Sequence, residues 1–257
     1  MFTIDNFVDA DLCAALDGAG DTQDARLQFA LSIAGELFAG QWGPNDGLRF
    51  NQASSSDANN DISSLSTCPE GLHVDTNNDS IFRSVTAILY LNDISSECGG
   101  ATIFPLANVA EADPIIAAAQ RLLGEQIAHT RGAASSTGIL PARGADAALL
   151  EERVGTLDGL RIQPEAGRLC IFFSRMDNGE IDPRSWHGGE RLCPELSVDG
   201  EMAIEKRILT LFKEVHYGKA HPGEYDTTFE SYLAPQIKEQ RRMLQDLAQS
   251  HAQFFEE

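Results

Sequence analysis

The chain has 257 residues, of which 42% are hydrophobic and 23% are charged, a composition typical of a soluble globular protein with a well-buried core. It carries 39 acidic against 19 basic residues, a formal net charge of -20, which argues against a nucleic-acid partner because phosphate contacts require a basic surface. No stretch approaches 18 consecutive apolar residues, so we expect no membrane span.

The first predicted elements are helices, followed by short strands. Residues 7–38 carry apolar side chains at three- and four-residue steps, which predicts helices. The stretch GLRFNQASS (47–55) is typical of a short strand. Residues 84–92, SVTAILYLN, are rich in β-branched and aromatic residues and predict a buried strand, and ATIF (101–104) predicts another that Pro105 ends.

The composition changes at residues 106–157, where Ala- and Leu-rich helical patterns flank a Gly/Ser-rich middle, and we interpret this segment as a largely helical insertion. Strands resume with GLRIQP and RLCIFF. A long polar loop from Ser174 then leads to the strand KRILTLFKEV, and a helical tail follows at 217–257.

Short strands wrapped by helices at both ends predict a mainly β fold with helical support (α+β), as a β-sandwich or jelly roll. The predicted organisation is a single domain over residues 1–257. It comprises N-terminal helices at 1–45, a jelly-roll core at 46–105 and 158–216, the helical insertion and the C-terminal helical tail.

The five cysteines, at positions 13, 68, 98, 170 and 193, are odd in number and widely spaced, which fits neither a disulfide framework nor a CxxC motif. The first residues lack the basic start and apolar core of a signal peptide. We therefore expect a cytoplasmic protein.

The sequence HVD places His73 and Asp75 two positions apart, directly before the most strand-like segment. In a strand, residues i and i+2 project to the same face, so this spacing directs an imidazole and a carboxylate at one point. His187 is the leading candidate for a third ligand, because the glycines that follow it in HGG allow close backbone approach. Two histidines and one carboxylate form the facial triad that suits Fe(II) and leaves coordination positions open. A polar turn without a metal is the alternative for HVD alone.

Five short motifs follow one another along the chain: HVD, RSVTAILYLND, CGGATIFP, GRLCIFF and NGEIDPRSWHGG. In this order they resemble the 2-oxoglutarate- and iron(II)-dependent dioxygenases, specifically the prolyl 4-hydroxylase branch. The resemblance covers about residues 68–105 and 158–215. It implies a double-stranded β-helix (jelly roll, cupin-like) core and a single dioxygenase domain.

The resemblance implies that His73, Asp75 and His187 are the iron ligands and the catalytic centre. It implies hydroxylation of a prolyl or other side chain of a peptide or protein, with dioxygen and 2-oxoglutarate consumed and succinate and CO2 released. Ascorbate is a candidate cofactor. The carboxylate of Asp75 favours hydroxylation, because halogenating relatives carry a small residue at that position.

The family binds the far carboxylate of 2-oxoglutarate with a basic residue on the strand after the distal histidine. Lys206 is the first choice, because it shares a strand face with Thr210 and Phe212, and Arg207 is the second. A solvated basic pair is the alternative. Tyr90 matches a tyrosine of the family strand and is a candidate contact of the co-substrate, with core packing as the alternative.

The chain departs from the family pattern at three places. It has no tyrosine shortly before HVD, the insertion replaces a short loop, and the link from His187 to Lys206 is long. The insertion either covers the site entrance or lies remote from it. Trp186 and Arg184 are candidates to line a substrate groove, although Trp186 fits core packing equally well.

Two other functions stay open from the sequence. A lid-like insertion fits a hydroxylase of a free amino acid or small metabolite. A metal-binding jelly roll without turnover would instead serve as a binding or sensing module. The presence of Asp75 and Lys206 together favours an enzyme, and the sequence does not indicate the oligomeric state.

Overall fold

The structure, a computed structural model, describes most of the predicted β core. The described residues are 1–19, 47–54, 70–75, 81–129, 159–176, 181–193, 195–197 and 200–216, with positions 238, 239, 241, 242, 246 and 249. The helical prediction beyond residue 19 and the second half of the predicted insertion, residues 130–157, lie outside these ranges.

Strands dominate the described part of the chain, which contains eleven strands and two α-helices. The strands are β1 (Phe2–Ile4), β2 (Gly47–Ser54), β3 (Glu70–His73), β4 (Ile81–Tyr90), β5 (Thr102–Phe104), β6 (Leu160–Ile162), β7 (Leu169–Phe173), β8 (His187–Gly189), β9 (Glu195–Ser197), β10 (Gly200–Met202) and β11 (Glu205–His216). The helices are α1 (Ala10–Ala19) and α2 (Pro114–His129), and 3₁₀ turns lie at Ser96–Cys98 and Pro183–Ser185. The prediction of a mainly β fold is confirmed.

The strands form two main sheets and a separate hairpin. The larger sheet has the order β1-β7-β4-β11-β2, the smaller has the order β3-β8-β5-β6, and β9 pairs with β10. All these neighbours are antiparallel. Neither main sheet follows chain order, so each combines strands that are distant in sequence.

Most described side chains of β4, β7 and β11 are buried on both faces of the larger sheet, because successive residues belong alternately to two apolar clusters. Odd-numbered residues of β4, β7 and β11, such as Leu89, Ile171 and Leu209, pack with Leu16 of α1 in one cluster. Even-numbered residues pack instead against the smaller sheet in a second cluster, which contains Ile88, Tyr90, Phe104, Ile162, Cys170 and Phe172. Successive strand residues face opposite sides, so a continuous apolar run such as that of β4 can serve both clusters.

Four strands differ from the sequence prediction. β1 lies in a segment assigned to helices, and β8, β9 and β10 lie within the predicted polar loop after Ser174. Each has three residues, too few for a period-two pattern, and each forms because a partner strand is present.

Helices do occur in three of the segments predicted to be helical. α1 lies in the predicted N-terminal helix, α2 lies in the insertion, and the six described positions of the C-terminal segment are helical. Among the described residues, no helix combines the length and apolar character needed to cross a membrane.

Candidate functional site

The pairing of β3 with β8 brings two of the predicted ligands together. His73 lies opposite His187 in this antiparallel ladder, although the two are far apart in sequence. Directly opposed residues have Cα atoms only about 4.5–5.5 Å apart. The imidazole of His73 itself lies outside the part of the chain that the structure describes.

Asp75 is the second predicted ligand, and it lies beyond the end of β3. Because β3 ends at His73, the prediction that His73 and Asp75 project from one face of a strand as residues i and i+2 is wrong. The carboxylate is nevertheless 4% exposed and contacts the predicted third ligand, with Oδ2 of Asp75 3.7 Å from Nε2 of His187.

Hydrogen bonds hold the side chains of His187 and Asp75 in a fixed orientation. Nδ1 of His187 lies 2.8 Å from the carbonyl oxygen of Ser185. A carbonyl only accepts, so Nδ1 donates, and Nε2 of the neutral ring keeps its lone pair on the side of Asp75. The hydroxyl of Thr86 donates to Oδ2 of Asp75 at 2.8 Å.

Two aromatic rings enclose the imidazole of His187. The Phe104 ring is stacked at a centroid distance of 5.2 Å, and the Phe172 ring meets it edge-on at 4.7 Å. Both phenylalanines are buried, and His187 is 4% exposed. Close backbone approach does not require the second glycine of HGG, because a Cβ added at Gly189 would meet nothing within 4 Å.

The described donor pair fits a shared divalent metal ion. Two donor atoms that are each about 2.1 Å from one ion are about 3.0 Å apart at a right angle and about 4.2 Å apart in line. The separation between Asp75 and His187 falls between these values. No cluster of three potential metal ligands occurs among the described side chains, which do not include that of His73.

Thr86→Val tests whether the buried hydrogen bond to Asp75 tunes a metal site. Removing the hydroxyl leaves one carboxylate oxygen without its donor, so we expect metal affinity to fall about 10–100-fold. Isothermal titration with Co(II) measures the change. Thr102→Val, which removes a hydroxyl from the neighbouring pocket, is the control and should leave metal affinity unchanged.

A second polar group, formed by Tyr90, Thr102 and Lys206, lies between the two sheets. The Tyr90 hydroxyl donates to Oγ1 of Thr102 at 2.7 Å, and Nζ of Lys206 donates to the same oxygen at 3.3 Å. Nζ also lies 5.7 Å from the centroid of the Tyr90 ring. The Thr102 oxygen therefore accepts twice, and its own proton has no acceptor among the described residues.

Burial controls the protonation of this group. Desolvation lowers the pKa of Lys206 to about 8, an effect that the negative charge of Glu190 partly opposes. Burial also raises the pKa of Tyr90 well above its ordinary value, so its hydroxyl stays a donor. Among the described residues no carboxylate lies within ion-pair distance of Lys206, which leaves a buried cation without an anion.

Arg207 occupies a different environment from its neighbour. Its side chain is 38% exposed, and Nη1 lies 3.9 Å from Oε2 of Glu205. Because side chains alternate along a strand, Lys206 and Arg207 project to opposite faces of β11, and only Lys206 is directed between the sheets.

Arg184 lies within the Pro183–Ser185 turn, and Trp186 directly follows it. Trp186 is buried, and its indole N–H has no hydrogen-bond partner among the described residues, which fits packing. Arg184 is half-buried and donates from Nε to the carbonyl oxygen of Val109 at 3.4 Å. The described part of the insertion therefore packs beside the strand that carries His187.

No role for Thr86, Thr102 or Ser185 was predicted from the sequence. Thr86 lies in the motif RSVTAILYLND and Thr102 lies in CGGATIFP. Their place in motifs that carry the resemblance could have indicated a role at the site. Ser185 acts through its backbone carbonyl, which no side-chain pattern can indicate.

No family model matches the chain, and no curated protein matches it in sequence. Solved structures that it is similar to include prolyl hydroxylases. The viral collagen prolyl hydroxylase of Paramecium Bursaria Chlorella virus-1, solved as a 2OG complex, has a TM-score of 0.44 and 12% identity, covering 85% of this chain and 96% of its own. A Pseudomonas putida prolyl-4-hydroxylase has a TM-score of 0.38 and 18% identity, covering 84% and 88%. HygX from Streptomyces hygroscopicus, solved with iron bound, has a TM-score of 0.36 and 14% identity, covering 85% and 82%.

Proposed function

We propose that the protein is an Fe(II)- and 2-oxoglutarate-dependent dioxygenase that hydroxylates an organic substrate. The carrying observation is the buried contact between Asp75 and His187 next to the β3–β8 register that pairs His73 with His187. Local sequence does not explain why Asp75 and His187, from distant segments, meet in a buried place beside the backbone of His73. A metal site with open positions does explain it.

The proposed fold is a double-stranded β-helix. Its support is the strand order: omitting β1, the larger sheet reads β7-β4-β11-β2 and the smaller reads β3-β8-β5-β6. Leaving out the β9–β10 hairpin, each strand from β2 to β11 lies in the other sheet from the strand before it. The one exception is β6, which lies in the same sheet as β5. Such winding supports the proposed jelly roll, in which the candidate histidine ligands would lie at the end of β3 and the start of β8.

His73, Asp75 and His187 would hold the iron, which supplies the oxidative chemistry when bound. Neighbouring residues hold the metal-binding side chains of Asp75 and His187 in orientation. Ser185 fixes the tautomer of His187, Thr86 fixes Asp75, and the rings of Phe104 and Phe172 exclude water from the imidazole.

The group formed by Tyr90, Thr102 and Lys206 would bind the far carboxylate of 2-oxoglutarate. Lys206 supplies the compensating charge, and the free proton of the Thr102 hydroxyl supplies a hydrogen bond. Tyr90 orients Thr102 by donating to it, because its raised pKa keeps the phenol protonated. The buried lysine without a described counter-ion supports an anionic ligand at this position.

Anaerobic titration of the protein with Fe(II) and 2-oxoglutarate tests this function. We expect a weak visible charge-transfer band from the chelated keto acid, followed by succinate release on admission of oxygen. Oxaloacetate, one carbon shorter, is the matched control and should give a weaker band because its far carboxylate falls short of Lys206. A folded protein that binds Fe(II) and gives no band would instead indicate a metal-binding module without this co-substrate.

A further inference from the structure

Gly189, the last residue of β8, is a glycine that the described structure around it does not require. It is not among the glycines with a positive φ, so its backbone conformation is open to any residue. A Cβ added to it would meet none of the described atoms within 4 Å. Gly167 shows the contrast, since its φ is 82° and an added Cβ would collide with the carbonyl oxygen of Val8.

Glycine at position 189 carries a cost in stability. Within a strand, glycine is less stable than alanine, because the unfolded chain loses more conformational freedom when it folds. An alanine at this position would suit the backbone conformation and would fit the space among the described residues. The reason for the glycine therefore lies outside the packing of the described protein groups.

The strand register directs Gly189 into the space between the two sheets. Gly189 pairs with Thr102, and paired residues of neighbouring strands project to the same face. Thr102 faces inward, because its Oγ1 accepts hydrogen bonds from Lys206 and Tyr90 of the larger sheet. A side chain at position 189 would therefore project beside the group formed by Tyr90, Thr102 and Lys206.

The same face of β8 carries the candidate ligand His187. His187 and Gly189 are two residues apart, so they project to one side of the strand and lie about 6.8 Å apart along it. On the adjacent strand β5, Phe104 stacks on the His187 ring and Thr102 lies opposite Gly189. Of these four inward-facing positions, only Gly189 has no side chain.

This stretch of the inner face suits a short chain that carries an anionic group at each end. One end would lie at Asp75 and His187, and the other at the buried ammonium of Lys206. The two carboxyl carbons of 2-oxoglutarate are joined by four carbon–carbon bonds of about 1.5 Å each, which is a comparable length. Gly189 is partly exposed, whereas His187 is buried, so solvent reaches this part of β8.

We propose that Gly189 determines which keto acid the protein accepts, because the carbon chain of the bound acid occupies the place that a side chain at position 189 would fill. The ligand class is a linear dicarboxylic 2-oxo acid. This inference rests on the proposed function and adds a residue that sets specificity through the absence of a side chain. A larger residue at position 189 would exclude the acid and leave the metal-binding side chains in place.

Gly189→Ala should raise stability and lower co-substrate affinity. The methyl group fits the folded chain and restricts the unfolded one, so the melting temperature of the metal-free protein should rise by about 1–4 °C. The affinity of the Co(II)-loaded protein for 2-oxoglutarate should fall about tenfold, and about 100-fold in Gly189→Val, because the added methyl groups occupy the place of the carbon chain. Scanning calorimetry and isothermal titration measure the two effects.

Two controls separate exclusion of the carbon chain from damage to the metal centre. Oxalate has only the chelating end of a keto acid, so it should bind to Co(II)-loaded Gly189→Val within about threefold of the wild type. Ile103→Val changes the residue next to Thr102 on the opposite face of β5 and should alter 2-oxoglutarate affinity less than about threefold. Co(II) affinity should stay unchanged in all three variants.

The outcomes distinguish this inference from the proposed function. If the wild type binds Co(II) but not 2-oxoglutarate, both are wrong. If the wild type binds 2-oxoglutarate and Gly189→Val binds it equally well, only the inference about Gly189 is wrong. That inference is also overturned if Gly189→Val loses oxalate and 2-oxoglutarate to the same extent, or if Gly189→Ala lowers the melting temperature, since the glycine would then serve the fold.

Discussion

Replacing His187 with glutamine should abolish succinate release and reduce metal affinity more than 100-fold. Nε2 of His187 faces Asp75 at 3.7 Å, and Nδ1 is already held by Ser185, so no other nitrogen of this side chain can take its place. Loss of a direct ligand should exceed the roughly 10–100-fold effect of changing a supporting residue. Titration with Co(II), together with a succinate assay, measures both quantities.

Stability separates loss of a ligand from loss of the fold. His187 packs between Phe104 and Phe172, so His187→Ala leaves a cavity and should cost about 2–3 kcal/mol of unfolding free energy. Glutamine fills more of this space and should cost less, while losing metal affinity to the same extent. If His187→Gln retained metal affinity within threefold of the wild type, a different residue would complete the centre.

Lys206→Met should change stability and co-substrate affinity in opposite directions. Methionine keeps the length of the side chain and removes a buried ammonium, so the unfolding free energy at pH 7 should rise by about 1–3 kcal/mol. The same change removes the charge facing an anionic ligand. We expect 2-oxoglutarate affinity to fall by about 2–4 kcal/mol, or roughly 30–1,000-fold.

The pH dependence gives this prediction a signature. The pKa of Lys206 is about 8 in the folded protein and 10.5 in its ordinary state. Between these values the unfolded chain binds more protons, so this lysine makes the wild type more stable as the pH rises from about 8 to about 10.5. Co-substrate affinity should instead weaken above pH 8, as the ammonium loses its proton. Both dependences should disappear in Lys206→Met.

Arg207→Met is the matched control, because Arg207 is adjacent in sequence but its side chain is 38% exposed beside Glu205. It should alter 2-oxoglutarate affinity less than about threefold. Isothermal titration across pH 6–10 and chemical denaturation measure the two effects. A larger loss of affinity in Arg207→Met than in Lys206→Met would exchange the roles of the two residues.

The β core was predictable because its signal is local. The continuous apolar run of β4 and the runs of β7 and β11 have the length and β-branched content of buried strands. The preference for Lys206 over Arg207 also came from a local rule, the alternation of side chains along a strand. The structure places these two residues in different environments, as that rule predicts.

Other features depend on partners that are distant in sequence. β8 consists of His-Gly-Gly, which has no strand preference of its own, and it exists because β3 and β5 flank it. Asp75 was chosen for a strand geometry that it does not have. Its burial comes instead from Thr86 and His187.

Side-chain type and short-range periodicity are enough to predict the strand-rich class, the candidate donors and the basic residue on β11. They do not predict which strands are neighbours, that Ser185 orients His187 through its backbone, or that Arg184 and Arg241 share one cavity. These features arise because folding brings together groups that are tens to hundreds of residues apart in the chain. Their spacing in space has no counterpart in local sequence.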